Sequence, residues 1–236
     1  MRILLTNDDG FDSVGIRLLK SKLEKYGQVV ILAPDSPMSA KSVSLTLGKT
    51  VSVKEHEKGI FSCSGTPADC VSFGLSMFDQ KFDLVVSGCN NGLNISYDTM
   101  YSGTIGAALQ ALMMGVPSIA VSTPREHFYI VESHFEEVFD LIMKKKWISK
   151  DYLLNINFPE GDEVKGISLG ELYYRKDIQF FEAKDEGYYA LREMESDFKD
   201  YPNSDCYQVD NGIISIVPLG KTFYDKSIYE KLKKMK

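Results

Sequence analysis

The 236-residue chain has no apolar run long enough to cross a bilayer. Its longest mostly apolar stretch, Ala107 to Val121, is broken by Gln110, Gly115, Pro117 and Ser118, and it falls short of the roughly 20 residues that a membrane helix needs. At the N-terminus only Ile3-Leu4-Leu5 precedes Asn7-Asp8-Asp9, which leaves no room for the apolar core of a secretory signal. A cytoplasmic protein is expected. Positive charge is also short, with 27 basic residues against 33 acidic ones and a net charge of −6, so nothing draws the whole molecule to nucleic acid or to an anionic membrane. A small anionic substrate would need a local cradle.

Cysteine and histidine are sparse. The four cysteines, Cys63, Cys70, Cys89 and Cys206, contain no CxxC pair, which argues against a zinc or redox motif and against a dense disulfide framework. Buried free thiols are expected. With only His56, His127 and His134 available, a hard cation on oxygen ligands is a better expectation than zinc. GxGxxG after the first strand, GxxxxGK[ST] and GxSxG are all absent. Their absence argues against Rossmann dinucleotide binding, P-loop nucleoside triphosphatases and the nucleophile elbow of α/β-hydrolases.

What the chain does have is the composition of an ordinary globular protein, 44% hydrophobic and 25% charged, with length for one large domain and an appended arm. Its first half alternates strand-like and helix-like segments. Strands are expected at Ile3–Thr6, Gln28–Ala33, Leu84–Ser87, Ser118–Ser122 and Leu153–Asn157, and helices at Val14–Tyr26, Thr66 to Met77, Thr104–Met114 and Glu126–Lys146. Gly27 reads as the stop of the first helix and Gly115 as that of the third. Such alternation predicts a Rossmann-like α/β fold, a parallel sheet with helices on both faces.

Residues 1–160 would form this catalytic domain, with a hairpin inserted at 42–62, its strands Ser44–Leu47 and Val51–Lys54 flanking Gly48 and projecting beside the sheet. Residues 161–236 would be a C-terminal segment used in oligomerisation. There Glu171–Phe198 is rich in Tyr, Phe, Asp and Glu without helical period and reads as an extended arm. Gly212–Pro218 reads as a strand, and the six lysines from Lys221 onward as a solvated terminal helix.

Ligands of open α/β sheets gather at the C-terminal ends of the strands, where three loops are unusually polar. After the first strand, Asp8 and Asp9 place two carboxylates side by side, an arrangement that a cation between them relieves. An ordinary Asp-Gly turn is the plain alternative. After the second, Asp35 to Ser42 can aim a hydroxyl at the same point. After the third, Ser87-Gly88-Cys89-Asn90-Asn91-Gly92-Leu93-Asn94 offers amides that can coordinate or bind. Ser102-Gly103-Thr104 then opens a helix whose free N–H groups suit a phosphate, although a simple Ser/Thr cap would look the same. A cation held by acids beside a helix N-terminus suits phosphoryl hydrolysis, since it polarises the phosphate and lowers the pKa of a bound water.

These residues carry a resemblance. Met1 to Gly10 (MRILLTNDDG), Ala33-Pro34-Asp35 with Ser39, Gly65 to Val71 (GTPADCV), Ser87 to Asn94 (SGCNNGLN), Tyr101 to Ala108 (YSGTIGAA) and Val209 to Leu219 together resemble the SurE (survival protein E) family of 5'-nucleotidases over nearly the whole chain. The resemblance implies a metal-dependent phosphatase of nucleoside 5'-monophosphates. One divalent cation, Mg²⁺ or Mn²⁺, would sit on Asp8, Asp9, Ser39 and Asn90, with Asp8 or Asp9 also serving as the catalytic base. Asn94, Ser102, Gly103 and Thr104 would bind substrate. It further implies a homodimer or homotetramer in which the C-terminal arm is exchanged between subunits, with no nucleic-acid or membrane partner. Departures from the family fall at Met38 and Val43. Two other mechanisms use the same residues: an aspartyl-phosphate route, against which the missing acid-x-acid spacing counts, and a non-catalytic nucleotide sensor, which turnover would separate.

Overall fold

A computed structural model describes residues 1–161, 163–174, 177–185, 187–194, 200–222, 224 and 226–234. Its elements run β1 (Arg2–Thr6), α1 (Val14–Leu23), β2 (Gln28–Pro34), β3 (Val53–Glu57), β4 (Ile60–Cys63), α2 (Pro67–Met77), β5 (Leu84–Asn91), α3 (Asp98–Tyr101), α4 (Gly103–Met113), β6 (Ser118–Thr123), α5 (Phe128–Lys145) and β7 (Tyr152–Asn157). Then follow β8 (Gly166–Leu169), β9 (Asp177–Lys184), β10 (Gly187–Met194), α6 (Asp205–Asp210), β11 (Ile213–Gly220) and α7 (Lys226–Lys234). The strands of the main sheet lie in the order β3-β4-β2-β1-β5-β6-β7-β11-β8. From β4 to β7 all neighbours are parallel; β3 and β11 run against their neighbours β4 and β7.

Strand periodicity divides the core between two faces. Ile3 and Leu5 pack with Ile16, Leu19 and Leu23 of α1 and with Val131, Phe135 and Val138 of α5. Leu4, between them, faces the other way, with Cys70 and Val71 of α2 and Ala107 and Ala111 of α4. The expected α/β fold with helices on both faces is therefore present. Chain order reverses at β1: β2 lies on one side, while β5, β6 and β7 step away on the other. A crevice forms where strand order reverses in this way, at the strands' C-terminal ends.

Helix ends follow local chemistry. Thr66 and Asp69 form a reciprocal capping box with Pro67 in the first turn. Gly115, at φ +80°, closes α4 with Gly115 N–H to Leu112 O and Val116 N–H to Ala111 O, as a left-handed cap should. Gly27 acts differently from expectation. Helix α1 has ended by Leu23, and Gly27 is required because a Cβ there would lie 1.8 Å from Met1 O.

The inserted hairpin is displaced from its expected position. Its strands are β3 and β4, turning at Lys58-Gly59, while 44–47 has no strand structure. It also does not project: β4 pairs with β2, so the hairpin forms the edge of the main sheet. The alternation at Ser44–Leu47 marks a loop held at one end by Asp69, which accepts from both Thr46 N–H and Thr46 Oγ1. Nor is the sheet confined to residues 1–160. Strands β11 and β8 extend it past β7, because the apolar run of β11 buries Ile214 and Ile216 in the same core. The aromatic arm reduces to β9 and β10, a two-stranded sheet of its own. The side chain of Tyr188, Phe198 at the arm's expected end, and the last of the six lysines, Lys236, lie outside the described residues.

Candidate functional site

The acidic pair sits at the C-terminal end of β1, in a loop that Asn7 holds in shape. Asn7 is fully buried; its Nδ2 donates to Gly10 O and Ser13 Oγ, and its Oδ1 accepts from Gly10 N–H. Gly10 can close this turn because its φ is +114°, a region costly for residues with a side chain. The turn leaves Asp8 only 6% exposed, with the Thr104 hydroxyl donating to its Oδ1. Gly103 packs so tightly on this carboxylate that a Cβ there would lie 2.9 Å from Asp8 Oδ2. Asp9 is half-buried and accepts from Asn91 N–H at 3.2 Å.

Electrostatics mark this pair as needing a partner. Burial pushes the Asp8 carboxyl up to about 6; the Thr104 hydrogen bond opposes the rise and the Asp9 charge adds to it. Burial likewise raises Asp9, against the Asn91 N–H. Among the described residues no Lys, Arg or His pairs with either carboxylate. Two adjacent, partly desolvated carboxylates without a protein cation fit a bound divalent ion, which would restore both to the charged form. Among the described residues no three His, Cys, Asp or Glu side chains converge on a point, so the further ligands would have to be neutral oxygens.

Asn90 has such an oxygen. Its Nδ2 donates to Gly92 O at 2.7 Å, leaving Oδ1 as the atom it can offer. Ser39 is exposed on the β2–β3 connection. That connection is tied to the acidic loop through Met38 N–H to Asp8 O at 2.7 Å. The contact is made by backbone, so the departure from the family at Met38 does not disturb it. Further along, Ser42 N–H donates to Tyr101 O and Ser42 Oγ to Met100 O, which seats this loop against the start of α4.

The cradle residues behave unequally. Ser102 Oγ caps α4 by accepting from Ile105 N–H, which leaves its hydroxyl proton for a ligand. Gly103 opens the helix. Thr104, however, spends its hydroxyl proton on Asp8, so it serves the acidic pair before any phosphate. Asn94 also turns inward: its Nδ2 donates to Ser122 Oγ and its backbone is held by Asn155 and Asn157.

Three features escaped sequence reasoning. Asn7 acts as a buried staple. Asn91 and Glu126 exchange reciprocal hydrogen bonds, Asn91 Nδ2 to Glu126 Oε1 and Glu126 N–H to Asn91 Oδ1, and so hold the N–H that Asp9 accepts. Asn155 and Asn157, both fully buried, carried a signal: amides alternating with Leu154 and Ile156 at the C-terminal end of an otherwise apolar strand point to a polar task at the sheet's functional edge.

Fold and site together define a doubly wound α/β protein with a pair of adjacent carboxylates at its topological switch point, beside a helix N-terminus. The sequence pattern of the family described as Survival protein SurE matches residues 3–178, and this chain belongs to that family. It is 41% identical over 234 residues to the 5'-nucleotidase SurE of Haemophilus influenzae, covering 93% of this chain and 91% of the relative. The 5'-nucleotidase SurE of Clostridium beijerinckii is 34% identical, with 100% and 99% covered. The crystal structure of the SurE protein from Aquifex aeolicus superimposes with a TM-score of 0.88 at 31% identity, over 100% of this chain and 99% of that one.

Proposed function

We propose that this protein is a 5'-nucleotidase that hydrolyses nucleoside 5'-monophosphates with one divalent cation, Mg²⁺ or Mn²⁺, held by Asp8, Asp9, Ser39 and Asn90. The observation that carries the proposal is the adjacent Asp8–Asp9 pair, Asp8 buried and Asp9 half-buried, uncompensated by any described protein cation, with Asp8 placed against the first turn of α4. Relatives of 34 to 41% identity along nearly the full chain carry the name 5'-nucleotidase SurE, which supports the substrate class.

The cation would supply Lewis-acid polarisation of the phosphate and a nucleophile at neutral pH. The protein's own groups do the rest. The Gly103 N–H at the start of α4 and the Ser102 hydroxyl meet the phosphoryl oxygens, and the helix N-terminus stabilises the charge that builds on them. Thr104 fixes the rotamer of Asp8. Asp9, held from one side by Asn91 N–H, keeps its other oxygen for the ion and for the proton of the attacking water. Asn94 holds the loop that bears Asn90. A second copy of this chain is the partner expected for the β9–β10 arm, in a homodimer or homotetramer.

Release of inorganic phosphate from AMP, GMP and 3'-AMP, with Mg²⁺ or Mn²⁺ added to chelator-treated protein, tests this. The expected result is metal-dependent turnover of the 5'-monophosphates. Nucleotide binding without turnover would instead leave a sensor.

A further inference from the structure

The segment from Asn90 to Tyr97 leaves β5, carries Asn90 and Asn94, and enters α3 and α4. Part of it must hold its position without ladder hydrogen bonds. At its midpoint the side chain of Asn157 does what a neighbouring strand would do. Asn157 Oδ1 accepts from Asn94 N–H at 2.8 Å, while Asn157 Nδ2 donates to Asn94 O at 3.1 Å. Asn155 Nδ2 donates to the same carbonyl at 2.8 Å, and Asn94 Nδ2 reaches Ser122 Oγ at 2.8 Å. Asn155, Asn157 and Ser122 are all fully buried, so water cannot replace a lost partner and each unmade bond is costly.

Both ends of this segment touch the site. On one side Asn91 N–H meets Asp9 and Gly92 O orients the Asn90 amide. On the other, the chain proceeds from Asn94 through α3 to Ser102 and Thr104, and Thr104 returns to Asp8. Asn94 is thus the fixed point between the candidate metal ligand and the phosphate cradle. Only a carboxamide of this length, or its neutral carboxylic acid isostere, presents one acceptor and one donor to a single residue's backbone from this strand position.

We infer that Asn157 is a positioning residue for the nucleotidase site, a side-chain rung that sets where the Asn90–Asn94 loop stands relative to Asp8 and Asp9. The inference rests on the proposed function for its catalytic consequence, and on hydrogen-bond geometry alone for its effect on cation binding. Asn157→Asp is the informative substitution. The ionised carboxylate turns two acceptors toward Asn94 and repels its carbonyl; protonated, the group recovers one O–H donor and one acceptor.

Mn²⁺ affinity, read by the electron paramagnetic resonance of free Mn²⁺, is measured alongside KM and kcat for AMP. Wild type, Asn157→Asp and Asn157→Ala are compared between pH 5.5 and 8.5, with near-ultraviolet circular dichroism reporting the fold. At pH 8.5 the Asp variant is expected to lose on the order of tenfold or more in Mn²⁺ affinity and kcat, as support residues behind metal ligands commonly do, with a smaller change in KM. The ratio of variant to wild type should recover as pH falls, while that of the Ala variant stays low throughout. Wild-type Mn²⁺ affinity in a folded Ala variant, or an Asp-to-wild-type ratio flat across the pH range, would overturn the inference. If the Ala variant does not fold, the pH dependence of the Asp variant alone decides. Should the wild type bind Mn²⁺ without hydrolysing AMP, the nucleotidase reading falls, and the Mn²⁺ measurement still tests Asn157.

Discussion

Asp8 and Thr104 form the contact on which the site turns, and each makes a separate prediction. Asp8→Asn removes a charged oxygen ligand, so Mn²⁺ binding should weaken sharply and kcat/KM should fall by several kcal/mol of transition-state stabilisation; calorimetric Mn²⁺ titration with phosphate-release kinetics checks both. Thr104→Val keeps the volume but leaves Asp8 Oδ1 without its donor. If Thr104 serves the carboxylate, metal affinity and kcat should fall together, by roughly tenfold. If it served the phosphate instead, kcat would fall and metal affinity would hold. Asp69 offers a pH test away from the site. Burial would raise this carboxyl, but hydrogen bonds from Thr46 and Thr66 outweigh it and hold the group below its ordinary 3.8. A depressed native pKa contributes stability that is complete above the unfolded value and is lost as pH falls through the native one. Asp69→Asn keeps one acceptor oxygen for Thr66 N–H but loses the charge and the second of the two oxygens that Thr46 and Thr66 share between them, so it should cost about 1 kcal/mol at neutral pH and flatten the stability curve below pH 4, as read by urea denaturation at a series of pH values.

At the scale of elements, the loop bearing Ser39 is positioned by glycine on the helix it meets. A Cβ at Gly106 would lie 2.0 Å from Ser42 O, so α4 accepts the loop only because that helical residue lacks a side chain. In an open helix Gly→Ala would stabilise by about 1 kcal/mol. Here Gly106→Ala should destabilise by roughly 1 to 3 kcal/mol and raise the metal requirement as Ser39 is displaced; thermal unfolding and Mn²⁺ titration of activity measure the two effects. The sequence could announce α4 through its Ser-Gly-Thr start and Gly115 end, and it could announce Asp8 and Asp9 through their adjacency after a buried strand. It could not announce Gly106 or Gly27, because their reason is a backbone passing close by from elsewhere in the chain. The same holds for the inserted hairpin. Ser44–Leu47 alternates like a strand, yet its partner is the Asp69 carboxylate, and a tertiary hydrogen bond overrides a local pattern. Asn94 was visible as a polar residue near the site, but its inward turn depends on Asn157, 63 positions away.

For the whole molecule, the expectation to test is assembly through the arm. Among the described residues, strands β9 and β10 pair with each other along eight residues and with no other strand, and a lone hairpin is marginally stable in water. Phe181 and Tyr189 are 65% and 61% exposed, apolar surface that a second copy would cover. Cutting the chain after Gly170 would be a poor test, because β11 beyond it is an interior strand of the main sheet and the fold would be lost with the arm. The root of the arm offers a cleaner one. Tyr173 and Tyr201 stack with ring centroids 4.6 Å apart, so a short Gly-Ser linker can join Tyr174 to Asp200 and delete the hairpin while β8, α6 and β11 remain. Sedimentation equilibrium at micromolar concentration should find the intact chain as a dimer or larger and the hairpin-deleted chain reduced in order. An intact monomer would refute assembly through the arm, and a deleted chain that keeps its order would place the interface on the sheet domain. Since Asp8, Asp9, Ser39, Asn90 and the α4 N-terminus all precede residue 120, the deleted chain should keep its Mn²⁺ affinity whatever its size, and loss of that affinity would mean that the arm completes the site.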